Sequence, residues 1–134
     1  MGVDLGEKRT GIAFSDLTGT LAGGTETVKV SGLTDAAEKV AERADAAGAS
    51  VIVVGKPLNM NGTEGASAQR VKLFAEFLAE RTAAEIVLFD ERCTTSLAHV
   101  YMNSTGISGR KRKSVVDMLS AQIILQNYLD ANKR

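Results

Sequence analysis

The sequence predicts an α/β fold: a mixed β-sheet with helices on both faces. Three observations carry this. Short apolar or alternating runs fill the first thirty residues; a helical period begins near Thr34; beyond it, β-branched runs alternate with helical ones. The resulting order is β-β-β-α-β-α-β-α-α. A chain of 134 residues is expected to form one domain, 1–134, burying roughly 70% of its unfolded surface.

The first strand is a short apolar run that ends on a carboxylate, Asp4. Gly6 and Gly11 suit a tight reversal into a second strand, Gly11 to Ser15, because glycine accepts the positive φ of such turns. Glu26 to Val30 alternates, with Thr27 and Lys29 on one face and Val28 and Val30 on the other. Thr34 is placed to cap a helix with Ala37, Val40, Ala41, Ala44 and Ala47 on its inner face, stopped by Gly48. Its outer face, Asp35, Glu38, Glu42 and Asp45, would repel nucleic acid. Val51 to Val54 reads as a buried parallel strand. A loop from Gly55 to Gly65 contains Pro57, Asn59 and Gly62. A helix from Glu64 to Arg81 buries Val71, Phe74, Ala75 and Leu78, and Glu85 to Phe89 is a further strand. Thr94 or Thr95 can cap a helix to Asn103. A basic segment, Gly106 to Lys113, then leads to a last helix, Val115 to Ala131.

Composition excludes several classes. With no Trp, two Tyr and four Phe, platforms for stacking exposed bases are scarce, which argues against a base-reading single-strand binder. Lys plus Arg equals Asp plus Glu at 16 each, so only the distribution of charge can point to a partner. One Cys precludes an internal disulfide and fits a reducing cytosol. No apolar run approaches the ~18 residues of a membrane span and no signal pattern opens the chain, so a cytoplasmic protein is expected.

Three acids stand where chemistry gathers. Asp4 ends the first strand, Glu91 follows the last, and Asp117 falls in the predicted first turn of the final helix. In such sheets functional groups collect at the carboxyl ends of parallel strands. Converging carboxylates need a cation, and oxygen donors suit Mg²⁺ or Mn²⁺. Two ions ~3.5–4 Å apart form the clamp that phosphodiester hydrolysis uses. Basic clusters flank these acids: Lys8 and Arg9 after Asp4, Arg92 beside Glu91, and Arg110, Lys111, Arg112 and Lys113 before Asp117. They predict a positive rim that holds a phosphate backbone without reading bases.

Four blocks, GVDLGEKRTGIAFSD, VVGKPLNMNGTEG, DERCTT and KRKSVVDMLSAQIILQNYL, resemble the signature blocks of the YqgF/RuvX family, end to end and in order. These are Holliday junction resolvase-like proteins, also described as pre-16S rRNA nucleases. The resemblance implies a ribonuclease H-like fold with a five-stranded sheet in the order 3-2-1-4-5. It implies a divalent-metal-dependent phosphodiesterase acting on structured nucleic acid, in maturing the 5′ end of small-subunit rRNA. By motif the family's acidic trio falls on Asp4, Glu91 and Asp117. The chain departs from the pattern in four places. Only Met1, Gly2 and Val3 precede Asp4 where several more residues are usual, which suggests a trimmed or misassigned start and a weakly anchored strand. Lys56 replaces a Leu, Asn61 an Asp, and Ser120 an Ala.

Structural roles compete for each candidate. Asp117, three residues after Ser114, nearly completes a capping box. Glu91 could pair with Arg92 or Lys113, and Asp90 is an alternative ligand whose side chain should point opposite to that of Glu91. Asp16 suits a turn, Cys93 suits packing, and His99 lacks a metal-binding partner at useful spacing. Besides a nuclease of pre-rRNA or of branched DNA, two other functions fit. Asp-Leu-Gly also resembles the first phosphate motif of actin-like ATPases, which need two such domains. A non-catalytic assembly factor would need no metal. A junction resolvase would need two sites, which a homodimer supplies.

Overall fold

A computed structural model describes residues 1–16, 22–57, 64–90 and 109–131, the last segment by its backbone alone over 109–118. Five strands form one sheet in the order β3-β2-β1-β4-β5, the order the family resemblance implies. They are β1 (Gly2–Leu5), β2 (Arg9–Ser15), β3 (Ala22–Lys29), β4 (Val51–Lys56) and β5 (Glu85–Asp90). β1 pairs antiparallel with β2 and parallel with β4, β2 pairs antiparallel with β3, and β4 runs parallel to β5. Helices α1 (Leu33–Ala47) and α2 (Ala66–Ala79) cover one face; α3 (Gly109–Ala131) covers the other. The helix expected between Thr94 and Asn103 lies outside the described residues.

The two faces are set by strand alternation. Val3, Ile12, Val28, Ile52 and Val54 meet Ala37, Val40, Val71, Phe74 and Leu78 on the α1/α2 side. Ala13 and Val53 meet Ala121, Ile124 and Leu125 of α3 on the other. β1 is short but well held, contrary to the weak anchoring expected from its few preceding residues. It lies at the centre of the sheet, the Met1 amine donates to the Val51 carbonyl at 3.0 Å, and the Val53 N–H donates to the Met1 carbonyl at 2.8 Å.

Several local expectations are corrected. Gly6 and Gly11 do not adopt positive φ, which among the described residues is confined to Gly24 and Gly48. Gly6 is needed because a Cβ there would run into the Arg9 carbonyl, and Gly11 lies in the second strand, as expected, although that strand begins two residues earlier, at Arg9. Thr34 does not cap α1. The helix starts two residues earlier than such a cap would set it, Gly32 occupies the cap position, and the Asp35 carboxylate accepts from the Ser31 N–H at 2.9 Å. That bond and the Lys39 ammonium hold Asp35 below the usual carboxylate range. Gly48 ends α1 at φ 67°, as expected, and leaves Ala47 exposed. Most consequential is the start of α3 at Gly109. Arg110 to Lys113 therefore form the first turn of a helix rather than a linker, because Arg and Lys are good helix formers and nothing breaks the run. Asp117 then falls about two turns inside the helix, where a capping role is unavailable.

Candidate active site at the carboxyl end of the central strand

Asp4 is the third residue of β1, half-buried, at the end of the strand where its parallel neighbour β4 also terminates. The register fixes its face. Gly2 pairs with Ala13 and Val53, which pack under α3; Val3 pairs with Ile12 and Val54, which pack under α1 and α2. Alternation therefore turns Asp4 toward the α3 face. On that face it lies opposite Gly11 of β2, and Gly55 is the next position along β4 after Val54. Continuing outward, Gly11 pairs with Thr27 and Gly55 with Phe89. The row crossing the sheet reads Thr27, Gly11, Asp4, Gly55, Phe89.

Two residues farther along β2 and β3, on the same face, Arg9 pairs with Lys29. Two residues of strand span about 6.8 Å. A pair of cations thus stands one row beyond the acid. Arg9 was expected near the site. Lys29 was not, although its position on the Thr27 face was legible; the sequence could not say that this was the face of Asp4. Lys8 is exposed in the turn, and its carbonyl accepts from the Val30 N–H at 2.9 Å.

α3 runs antiparallel to β1. At Gly2 an added Cβ would stand 2.7 Å from the Leu125 Cβ and 2.8 Å from the Ala121 carbonyl oxygen, so helix and strand touch there. The helix passes on toward Tyr128 and Leu129, which with Met1 and Phe14 line a cavity of about 480 Å³ at the far end of the sheet. In the other direction, position 117 is one turn before Ala121, about 6 Å along the axis at 1.5 Å per residue. Asp4 lies two residues beyond Gly2, about 6.6 Å along the strand. The backbone at Asp117 is therefore level with Asp4, with the amino end of the helix beyond both.

Asp90 ends β5 in register with Lys56. Its alternation partners Ile86 and Val54 pack on the α1/α2 side, whereas Phe89 meets Tyr128 of α3 edge-on with ring centroids 6.3 Å apart. Asp90 is thus on the face opposite to Asp4. Glu91, Arg92, Asn59 and Gly62 lie outside the described residues, as does the side chain of Asp117. Among the described residues no three His, Cys, Asp or Glu side chains form a metal-holding group.

The Gly55–Gly65 loop is tied down at its base. Glu64 accepts from the Lys56 ammonium at 2.7 Å and from the Lys72 ammonium at 2.9 Å. Those two hydrogen bonds, Lys56 first, hold the Glu64 carboxyl below its usual range. Lys56, on the face away from Asp4, is a loop anchor rather than a site cation. Pro57 follows it at the start of the loop.

A five-stranded sheet in this order with helices on both faces defines a ribonuclease H-like fold, with an acid at the carboxyl end of the middle strand. The solved structure of a fowlpox virus resolvase with substrate Holliday junction DNA shares the fold at TM-score 0.61 and 12% identity, covering 99% of this chain and 97% of that one. A T. thermophilus RuvC in complex with a Holliday junction substrate does so at TM-score 0.58 and 15% identity, over 97% of this chain and 92% of that one. The family model described as RuvX, Holliday junction resolvase, matches residues 1–131, and the chain belongs to that family. A relative from Thermoanaerobacter pseudethanolicus, named "Putative pre-16S rRNA nuclease", is 45% identical and covers 99% of this chain and 96% of its own length. One from Listeria innocua, of the same name, is 42% identical over 97% of this chain and 96% of its own. No helix among the described residues is long and apolar enough to cross a membrane.

Proposed function

We propose that this chain is a divalent-metal-dependent nuclease of structured nucleic acid, acting as one domain in the cytoplasm on the 5′ end of pre-16S rRNA. The observation that carries this is the alignment of Asp4 with position 117. The backbones of two acid-bearing positions, on β1 and on α3, lie level at the carboxyl end of the central strand. Asp117 lies too deep in α3 to cap it, and an acid on a half-buried central strand costs desolvation. Asp90 lies on the face opposite to Asp4, which leaves Glu91, the next residue in sequence, as the proposed third ligand. Oxygen donors of this kind fit Mg²⁺ or Mn²⁺, two ions being the arrangement suited to in-line displacement. Bound there, the ions would supply Lewis-acid stabilisation of charge on the attacking and leaving oxygens.

The chain's own residues do the rest. Asp4, Glu91 and Asp117 would hold the cations. Arg9 and Lys29 take up phosphate charge along β2 and β3, with Lys8 and Arg92 extending the rim. Arg110 to Lys113 occupy the first turn of α3, where the helix dipole disfavours cations. That unfavourable placement is offset once a polyanion lies across them, and the dipole then adds to the attraction. Of the supporting residues expected at Gly55, Pro57, Asn59 and Gly62, Gly55 lies in β4 beside Asp4 and Pro57 follows that strand, at the base of the loop that Lys56 and Glu64 anchor.

Cleavage of pre-16S rRNA and of a four-way DNA junction, with Mg²⁺ or Mn²⁺, is the direct test. Wild-type protein should cut the rRNA precursor, and Asp4→Asn should lose more than the ~10–100-fold that removal of a group supporting a metal ligand costs. An Asp4→Asn protein that cuts at the wild-type rate would sink the reading. The resolvase structures and the family description favour junction DNA as the second reading. It requires preferential cutting of the junction and a dimer bringing two sites to it.

A further inference from the structure

The site row contains an arrangement that acid ligands alone do not explain: Asp4 has glycine on both sides. Gly11 faces it across the antiparallel ladder and Gly55 is its neighbour on the parallel side. Both are buried in the sheet and neither has positive φ, so no backbone conformation demands glycine at either position. Three other glycines have visible reasons. Gly2 lets α3 approach, Gly6 clears the Arg9 carbonyl, and Gly48 turns the chain left-handed.

We propose that Gly11 and Gly55 are positioning residues that keep a side-chain-free lane on either flank of Asp4, one for the cation and one for the phosphate. This rests on the nuclease reading above and deepens it. Side chains opposite one another in a sheet have Cβ atoms about 4.5–5.5 Å apart. A carboxylate-bound Mg²⁺ lies about 2.0–2.1 Å beyond its oxygen and keeps several further ligands around it. A methyl group at either glycine would thus enter the ion's ligand shell or the space of the phosphate it contacts. The flanks differ in kind. The Gly55 side leads to Phe89 and the end of β5, where no cation stands in the row; the Gly11 side leads to Thr27 and lies below Arg9 and Lys29. Cation binding belongs on the Gly55 flank and phosphate seating on the Gly11 flank.

The test compares wild type, Gly11→Ala, Gly55→Ala and Asp4→Asn, all checked for folding by circular dichroism. Mn²⁺ binding is read by electron paramagnetic resonance of the free ion, without substrate, and KM and kcat by cleavage of the rRNA precursor. Gly55→Ala should weaken Mn²⁺ binding about tenfold or more. Gly11→Ala should leave Mn²⁺ binding within twofold of wild type and raise KM about tenfold, the effect of a phosphate contact worth ~1.4 kcal/mol. Each variant carries its own prediction, so if one fails to fold the other decides. If folded alanine variants only lower thermal stability, while Mn²⁺ affinity and KM match wild type and Asp4→Asn loses Mn²⁺, the glycines merely admit α3 and the proposal fails. If Asp4→Asn itself binds Mn²⁺ and cuts like wild type, the nuclease reading fails first.

Discussion

Gly2→Ala tests how the docking of α3 sets both stability and the site. The added Cβ would stand 2.7 Å from the Leu125 Cβ and 2.8 Å from the Ala121 carbonyl oxygen. Carbon contacts are optimal near 3.5–4.0 Å, so about 1 Å must be recovered. Neither obstacle is the tip of a flexible side chain. One is backbone and the other is the root of Leu125, itself 2% exposed, so the helix must move as a body. Overpacking on this scale costs about 1–3 kcal/mol. For a chain of this size each kcal/mol corresponds to roughly 3–5 °C in Tm. The same displacement carries position 117 away from Asp4 by about 1 Å, and a misplacement of that size costs about 100-fold in rate. Urea unfolding followed by circular dichroism gives the first number, and initial cleavage rates at saturating Mg²⁺ give the second. Gly23→Ala, where nothing lies within 4 Å of an added Cβ, is the control and should change stability by no more than about 0.5 kcal/mol. A Gly2→Ala protein as stable and as active as that control would refute the inferred contact and the alignment built on it.

Three further outcomes follow from particular contacts. Lys29→Ala should lower the slope of log affinity against log salt for nucleic acid by about one, measured in EDTA; Lys39→Ala, whose ammonium pairs with Asp35 behind the sheet at 3.1 Å, should leave the slope unchanged. Glu64 has its pKa lowered by Lys56 and Lys72, so its contribution to stability is full above the ordinary glutamate pKa and is lost as pH falls through the lowered value. Glu64→Gln should therefore flatten the acid limb of the stability–pH curve, and an unchanged limb in urea titrations across that range would show that the loop anchor does not form. Ser120→Ala should raise stability by about 1 kcal/mol in the same urea assay, because the Ser120 hydroxyl is 1% exposed and has no hydrogen-bond partner among the described residues.

What the sequence determined by itself was periodicity and chemistry. The alternation at Thr27 to Val30, the apolar stripe of Val40, Ala41 and Ala44, and the β-branched run at Val51 each followed from local side-chain spacing, which survives folding unchanged. The end-to-end motif match supplied the sheet order and named Asp4, Glu91 and Asp117. What the tertiary structure decided was which side of the sheet each residue faces and what lies next to it. Strand register is a long-range property, invisible to a window of ten residues. It set Gly11 on the flank of Asp4, joined Lys29 to Arg9, and put Asp90 on the far face. The start of α3 also needed the fold, since a run of Arg and Lys reads equally well as a solvated linker or as the opening turn of a helix. Only its continuity with a helix docked on Gly2 separates the two, and that same docking brings position 117 level with the acid on β1.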